Sequence, residues 1–136
     1  MEKYYFTNDV TVFGLQVKTF PLGIGEAFDE LIKRTGDCAG ARTYYGISEF
    51  KDCKMVYYAV AEEKFEGEAE KYNYEKLKIE KGEYLTSTVF EWQKKKECIK
   101  DVFYEITQYP HVDKTKPAIE WYKDDNEMVC LVKMND

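Results

Sequence analysis

The chain repeats itself, and the repeat restricts its folds more than any other feature. Gly14-Leu15 to Phe20 matches Tyr84-Leu85 to Phe90, and Phe28-x-Glu30-Leu31 matches Phe103-x-Glu105-Ile106. The closest match is Ile47-Ser48-Glu49-Phe50-Lys51-Asp52 over Ile119-Glu120-Trp121-Tyr122-Lys123-Asp124, with Met55-Val56 over Met128-Val129. A duplicated unit folds as two copies of one motif around a pseudo-twofold, so each half needs reading only once.

In the first half, Val10 to Phe20 is β-branched and aromatic with near alternation, which predicts a strand ended by Pro21. Ile24, Ala27, Phe28, Leu31 and Ile32 then recur at helical spacing, with acidic residues near the start and Gly36 as a stop, so a helix of about 12 residues follows. Thr43–Phe50 and Met55–Ala61 read as a hairpin with a four-residue loop, Lys51 to Lys54. The second half repeats the order: a strand from Tyr84 to Glu91, and a helical face of Cys98, Ile99, Val102, Phe103 and Ile106 ending before Pro110. A hairpin then pairs Ala118–Tyr122 with Met128–Met134 around Lys123-Asp124-Asp125-Asn126. Between the halves, Glu62–Lys71 is a solvated connector or one short helix, and Glu75–Lys81 a half-exposed edge strand.

The fold class is therefore α+β: a duplicated strand-helix-strand-strand unit forming one antiparallel sheet, two helices on one face, and a ligand cleft between the pseudo-twofold halves. The chain reads as a single domain over 1–136, with halves of about 10–61 and 72–134. The duplication also predicts that Ile47 and Ile119 both turn toward the helix layer.

Composition removes several functions. At 136 residues there is room for one core, and a net charge of -6 with a pI near 5.0 repels a phosphate backbone. Lys94-Lys95-Lys96 stands without a supporting Arg or Lys stripe and reads as a solvated helix entrance. No apolar run approaches the roughly 20 residues of a membrane span, and Met1–Phe6 runs into Thr7-Asn8-Asp9 before a signal-like core develops, so a cytoplasmic protein without membrane contact is expected. With only nine residues ahead of the first expected strand, no DNA-binding helices fit there. Histidine-rich metal sites are excluded because His111 is the one histidine, and no cofactor is implied. Gly23-Ile24-Gly25 is a turn, since Phe28 and the acids Glu26, Asp29 and Glu30 are hostile to a pyrophosphate. Aromatic residues, at 16%, exceed what so small a core readily buries with every phenol satisfied, so some should line a cavity or partner surface.

The duplicated unit, the opening Phe13-Gly14-Leu15-Gln16-Val17, the Tyr44-Tyr45-Gly46-Ile47 strand and the closing Ile119-Glu120-Trp121-Tyr122 resemble, in order and spacing, the GyrI-like small-molecule-binding superfamily. This is the effector-binding domain of bacterial multidrug-sensing regulators, which also occurs as stand-alone proteins; the likeness runs from about Val10 to Lys133. It implies that a Glu two residues before a Tyr on the second hairpin, here Glu120 before Tyr122, lies in an aromatic cleft and pairs with lipophilic cations. It also implies pocket aromatics at Phe90 and Trp92, although Trp92 reads equally as a lid over the core.

Strand alternation supports Glu120 without the resemblance. Ile119 and Trp121 face one way, Glu120 and Tyr122 the other, and the repeat sets Ser48 and Phe50 at the equivalent points. A carboxylate among aromatics either protonates, finds a donor, or recruits a cation that the ring faces also attract. The expected ligand-binding residues are Glu120, Tyr122, Phe90, Trp92, Ser48 and Phe50.

Three functions follow from the resemblance. The first is a stand-alone sensor or sequestering protein for small hydrophobic, cationic molecules, acting on transcription only through a separate partner. The second is a hydrolase of reactive electrophiles with Glu120 as base and Tyr122 as donor. The third is an inhibitor of a protein such as gyrase. A protein partner or a homodimer stays open.

Cys38, Cys53, Cys98 and Cys130 lack the close pairing of a redox or zinc motif, which in a reducing compartment points to free thiols. Denaturation midpoints measured with and without a thiol reductant should coincide; a large loss of stability on reduction would show that a structural disulfide exists.

Overall fold

A computed structural model describes residues 2–20, 22–36, 42–124 and 126–135. It contains eight strands, β1 (Glu2–Phe6), β2 (Val10–Gln16), β3 (Tyr44–Lys51), β4 (Lys54–Glu62), β5 (Glu75–Ile79), β6 (Gly82–Phe90), β7 (Ala118–Tyr122) and β8 (Glu127–Lys133). The helices are α1 (Ile24–Thr35), α2 (Glu68–Lys71) and α3 (Lys96–Thr107), and a 3₁₀ turn spans Trp92–Lys94. Gly36 ends α1 in the left-handed region at φ 70°, as its place after the last apolar residue predicts. Pro21, Cys38 and Asp125 lie outside the described residues.

All strands join one antiparallel sheet in the order β1-β6-β8-β7-β3-β4-β2-β5, curled into a half-barrel. The order reads the same from both ends once the halves are overlaid. Ile47 pairs directly with Ile119, so the pseudo-twofold passes through the two residues that coincide in the sequence overlay. The outer strands are exchanged: β1 leads into β2 but pairs with β6, while β5 leads into β6 but pairs with β2. The two crossing connections are pinned where the Lys81 backbone N–H donates to Asp9 Oδ1 at 2.8 Å. Sequence periodicity did not reveal β1, since its partner lies some eighty residues away and nothing local marks it.

Two expectations need correction. The first hairpin has a two-residue turn in place of a four-residue loop: Lys51 pairs with Lys54, and Asp52 and Cys53 both take positive φ, 50° and 63°, as a turn matched to strand twist requires. Ile47 and Ile119 share a face, but it is the face without helices. They lie in one apolar cluster with Phe6 of β1, Val12 of β2, Ile79 of β5 and Tyr84 of β6. Strands from both ends of the sheet thus meet in one core, because the curl closes the inner face on itself and needs no helix to cover it. The helices occupy the outer face, where α3 packs Ile106 against Leu85, Met128 and Cys130, and α1 packs Leu31 and Ala27 against Phe13, Ala59 and Ala61. The duplication therefore rests on strand register rather than on the side the isoleucines take.

The connector after β4 folds as α2, anchored by a buried ion pair. The Glu68 carboxylate accepts from both terminal nitrogens of Arg42, one at 2.8 Å, and from the Lys64 backbone N–H at 2.8 Å. The Arg42 hydrogen bond holds the Glu68 carboxyl below its ordinary range. Replacing Arg42→Met strands a buried carboxylate, and chemical denaturation at neutral pH should show a loss of about 3–5 kcal/mol. A carboxyl lowered in the folded state contributes stability above its unfolded pKa and loses it as pH falls through the folded value, so the gap between wild type and variant should narrow in acid.

Candidate functional site

The curl sends alternate residues of β3, β4 and β7 to the outer, helix-bearing face: Tyr44, Gly46, Ser48 and Phe50; Met55, Tyr57, Ala59 and Ala61; and Glu120 and Tyr122. At the seam between the halves, Glu120 of β7 stands opposite Gly46 of β3. Its carboxylate is buried, at 8% exposure. Tyr57 of the first half donates its phenol to Glu120 Oε1 at 2.6 Å, Tyr122 of the second donates to the same oxygen at 2.6 Å, and the two phenol oxygens lie 3.0 Å apart. One carboxylate oxygen, held from both sides of the pseudo-twofold, is the polar centre of this face.

Gly46 makes the triangle possible. A Cβ there would sit 2.0 Å from the Tyr57 hydroxyl and 2.6 Å from Glu120 Oε1. The missing side chain is the space in which the phenol and the carboxylate meet. Burial raises the Glu120 carboxyl above its ordinary value, opposed by the two phenol hydrogen bonds. Both phenols are raised as well, first by burial and then by the adjacent carboxylate, so they remain protonated donors. Cys130, cross-strand from Glu120, is buried and raised for the same reasons; it is an inert core thiol.

Aromatic rings enclose the triangle. Tyr122 makes edge contacts with Phe28 of α1, centroids 5.2 Å apart, and with Trp92 of the 3₁₀ turn, 5.1 Å apart. Phe20 stacks on Tyr57 at 5.0 Å with the planes 6° apart, and Phe28 also meets Tyr44. Trp92 is fixed by its indole N–H, which donates to the Asp124 carbonyl at 3.0 Å. The six expected residues divide accordingly. Glu120, Tyr122 and Trp92 come together. Ser48 is half-buried on the same face, cross-strand from Tyr57, and Phe50 lies two residues further along, 70% exposed. Phe90 stands apart: Val89 beside it packs toward α3, so Phe90 takes the opposite face of β6, half-exposed.

Sequence reading missed Tyr57, Gly46, Phe20 and Phe28. The available signal was the overlay itself, because Tyr57 takes the place of Cys130 in the repeat, on β4, one strand beyond the seam and on the same face as the acid. Two concavities, of about 730 and 290 Å³, lie elsewhere, one along the β1–β2 turn and the β4–α2 connection, the other beside Ile47 and Ile119 on the inner face. Neither is lined by Glu120; the buried acid with its convergent donors, rather than open volume, marks the chemistry. Among the described residues, no three His, Cys, Asp or Glu side chains gather as a metal site.

The triangle gives a direct test of its geometry. Gly46→Ala should destabilise the fold by about 1–3 kcal/mol in chemical denaturation, as overpacking at a filled site does. Adding Tyr57→Phe should restore only part of this, because the ring carbon Cζ also lies 2.6 Å from the new methyl position. Full stability in Gly46→Ala alone would show that the phenol and carboxylate are not held at that point.

Comparison with known proteins places the fold. No family model matches the chain, and no curated protein matches it in sequence. Among solved structures, an integron cassette protein from the mobile metagenome of Vibrio cholerae superposes with a TM-score of 0.69 at 15% identity, covering 98% of this chain and 95% of that one. A hydrolase from Listeria innocua gives 0.62 at 11% identity, covering 98% and 90%. SAV2435, solved with bound tetraphenylphosphonium, gives 0.69 at 14% identity, covering 99% and 94%. At these identities the likeness establishes architecture, and the architecture is consistent with the GyrI-like small-molecule-binding fold that the sequence resembles.

Proposed function

We propose that this protein binds small hydrophobic cations on its outer face, with Glu120 as the charge partner and Tyr57, Tyr122, Phe28 and Trp92 as the aromatic surround. The observation that carries the reading is the buried Glu120 carboxylate, held by two phenols among rings. A buried carboxylate whose ionisation is disfavoured gains from a cation placed beside it, and ring faces add their own attraction. That SAV2435 holds tetraphenylphosphonium in the same architecture supports this choice of ligand class. The net charge of -6 favours approach of cations over anions. No described helix is long and apolar enough to cross a membrane.

Titration calorimetry with tetraphenylphosphonium and the neutral triphenylphosphine oxide tests the charge. Glu120→Gln keeps the shape and one carbonyl oxygen to accept from both phenols, so the cation should weaken by about 1–3 kcal/mol while the neutral compound is little affected. A proton competes with the cation for Glu120, so wild-type affinity should rise with pH through the carboxyl's raised range and then level. Equal weakening of both compounds would mean a packing effect, and no weakening would move the site away from Glu120.

A hydrolase is the second reading, favoured by the fold shared with the Listeria innocua hydrolase and by a carboxylate within 2.6 Å of two phenols. Glu120 would act as base and Tyr122 as donor. In that case Glu120→Gln abolishes turnover of a reactive electrophile and spares binding of its unreactive analogue.

A further inference from the structure

The inner face of the half-barrel has a cavity of its own, of about 290 Å³, on the side of the sheet away from Glu120. Its walls are Ile47 and Ile119, paired at the pseudo-twofold, with Ile79 of β5 and Tyr84 of β6. All four belong to the inner core and are buried. The cavity is thus an opening onto the apolar core, and the polar groups around it are few.

Charge is set against these walls. In β8, Val129 and Leu131 face the inner core, so alternation turns Lys133 the same way, cross-strand from Tyr84. Lys133 lines the cavity and is only 6% exposed, and lysine is seldom drawn so far from water. Gly82 makes room for it. A Cβ there would stand 2.8 Å from Lys133 Cε and 2.9 Å from Nζ, so the side chain lies across the glycine rather than trailing in solvent. The ammonium donates to the Met134 carbonyl at 3.1 Å and lies 5.9 Å from the centre of the Tyr84 ring. Two acids also line the cavity. Glu80 accepts from Lys116 at 2.9 Å, with the two side chains half-exposed, and Glu49 is bound to Lys51 at 2.9 Å. The charges therefore run from solvated ion pairs at the rim to a positioned, buried cation beside the apolar walls.

We infer that this cavity is a second binding site, for a small monocarboxylate with an apolar body, the carboxylate beside Lys133 and the chain or ring against Ile47 and Ile119. An ammonium held out of bulk solvent attracts an anion more strongly than one in water. Glu49 and Glu80 oppose a doubly charged head such as a phosphate ester, so a single negative charge suits the site. The volume is at the small end of ligand pockets, which admits one short chain or one ring and turns away a multi-ring dye. The site does not depend on Glu120, and it takes a ligand of the opposite sign.

Titration calorimetry with octanoate and with octanol, its neutral counterpart, tests the charge, and isoleucine-methyl NMR tests the place. Octanoate should bind wild type about tenfold or more tighter than octanol does, as a charge-assisted contact predicts. Its addition should shift the methyl signals of Ile47, Ile79 and Ile119 and leave those of Ile24 and Ile99, which pack on the outer face, in place. Lys133→Met keeps an apolar stem and removes the ammonium, so octanoate should fall to the affinity of octanol. Both wild-type measurements hold whether or not that variant folds. Absence of octanoate binding, equal affinity for acid and alcohol, or shifts confined to the outer-face methyls overturns the inference. Wild-type octanoate affinity in folded Lys133→Met overturns it as well.

Discussion

The seam between β3 and β7 is the contact on which the rest depends. Five residue pairs join the halves there, and its alternation assigns every neighbouring side chain to a task. One parity sends Ile47 and Ile119 into the inner core; the other sets Gly46 against Glu120 on the outer face. A one-residue slip would exchange the two sets, burying a carboxylate in an aliphatic cluster and exposing two isoleucines. Register at the seam is thus held by the core on one side and by the phenol–carboxylate triangle on the other.

The triangle itself joins the halves chemically. Tyr57 reaches the acid from β4 and Tyr122 from β7, so the polar centre exists only when both copies of the repeat are folded. Duplication yields two similar surfaces; divergence at Ser48 against Glu120, and at Cys130 against Tyr57, made one of them charged. Burial pushes the acid toward its neutral form while its two donors pull the other way, which leaves the carboxyl responsive to a neighbouring charge.

Much of this was legible in the sequence because the repeat is collinear with the sheet. Overlaying Ile47 on Ile119 and Met55-Val56 on Met128-Val129 reproduces the observed strand equivalences, and alternation put Glu120 and Tyr122 on one face. What stayed hidden depends on the curl, which periodicity does not encode. The isoleucines looked helix-facing because a flat sheet has only one covered side, whereas a half-barrel covers its inner face with itself. Phe90 and Trp92 look alike in sequence, yet only Trp92 lies past the end of β6, where the chain turns back over Tyr122. Tyr57 was obscured by its neighbour Tyr58, an identical residue that faces the inner core.

The exchange of the outer strands has a consequence for how the molecule is made. Among the described strands, β1 leaves the ribosome before the others, and its ladder partner there spans residues 82–86; the outer partner of β2 likewise arrives with residues 75–79. The amino-terminal half therefore emerges with an unpaired edge at β2 and a loose strand ahead of it, and neither is completed until the second repeat has begun. Such long-range pairing slows folding and leaves strand edges exposed in the interval. The charges on both late-paired segments, Glu2 and Lys3 in β1 and Glu75, Lys76 and Lys78 in β5, are the kind that discourages a waiting edge from joining a neighbouring nascent chain.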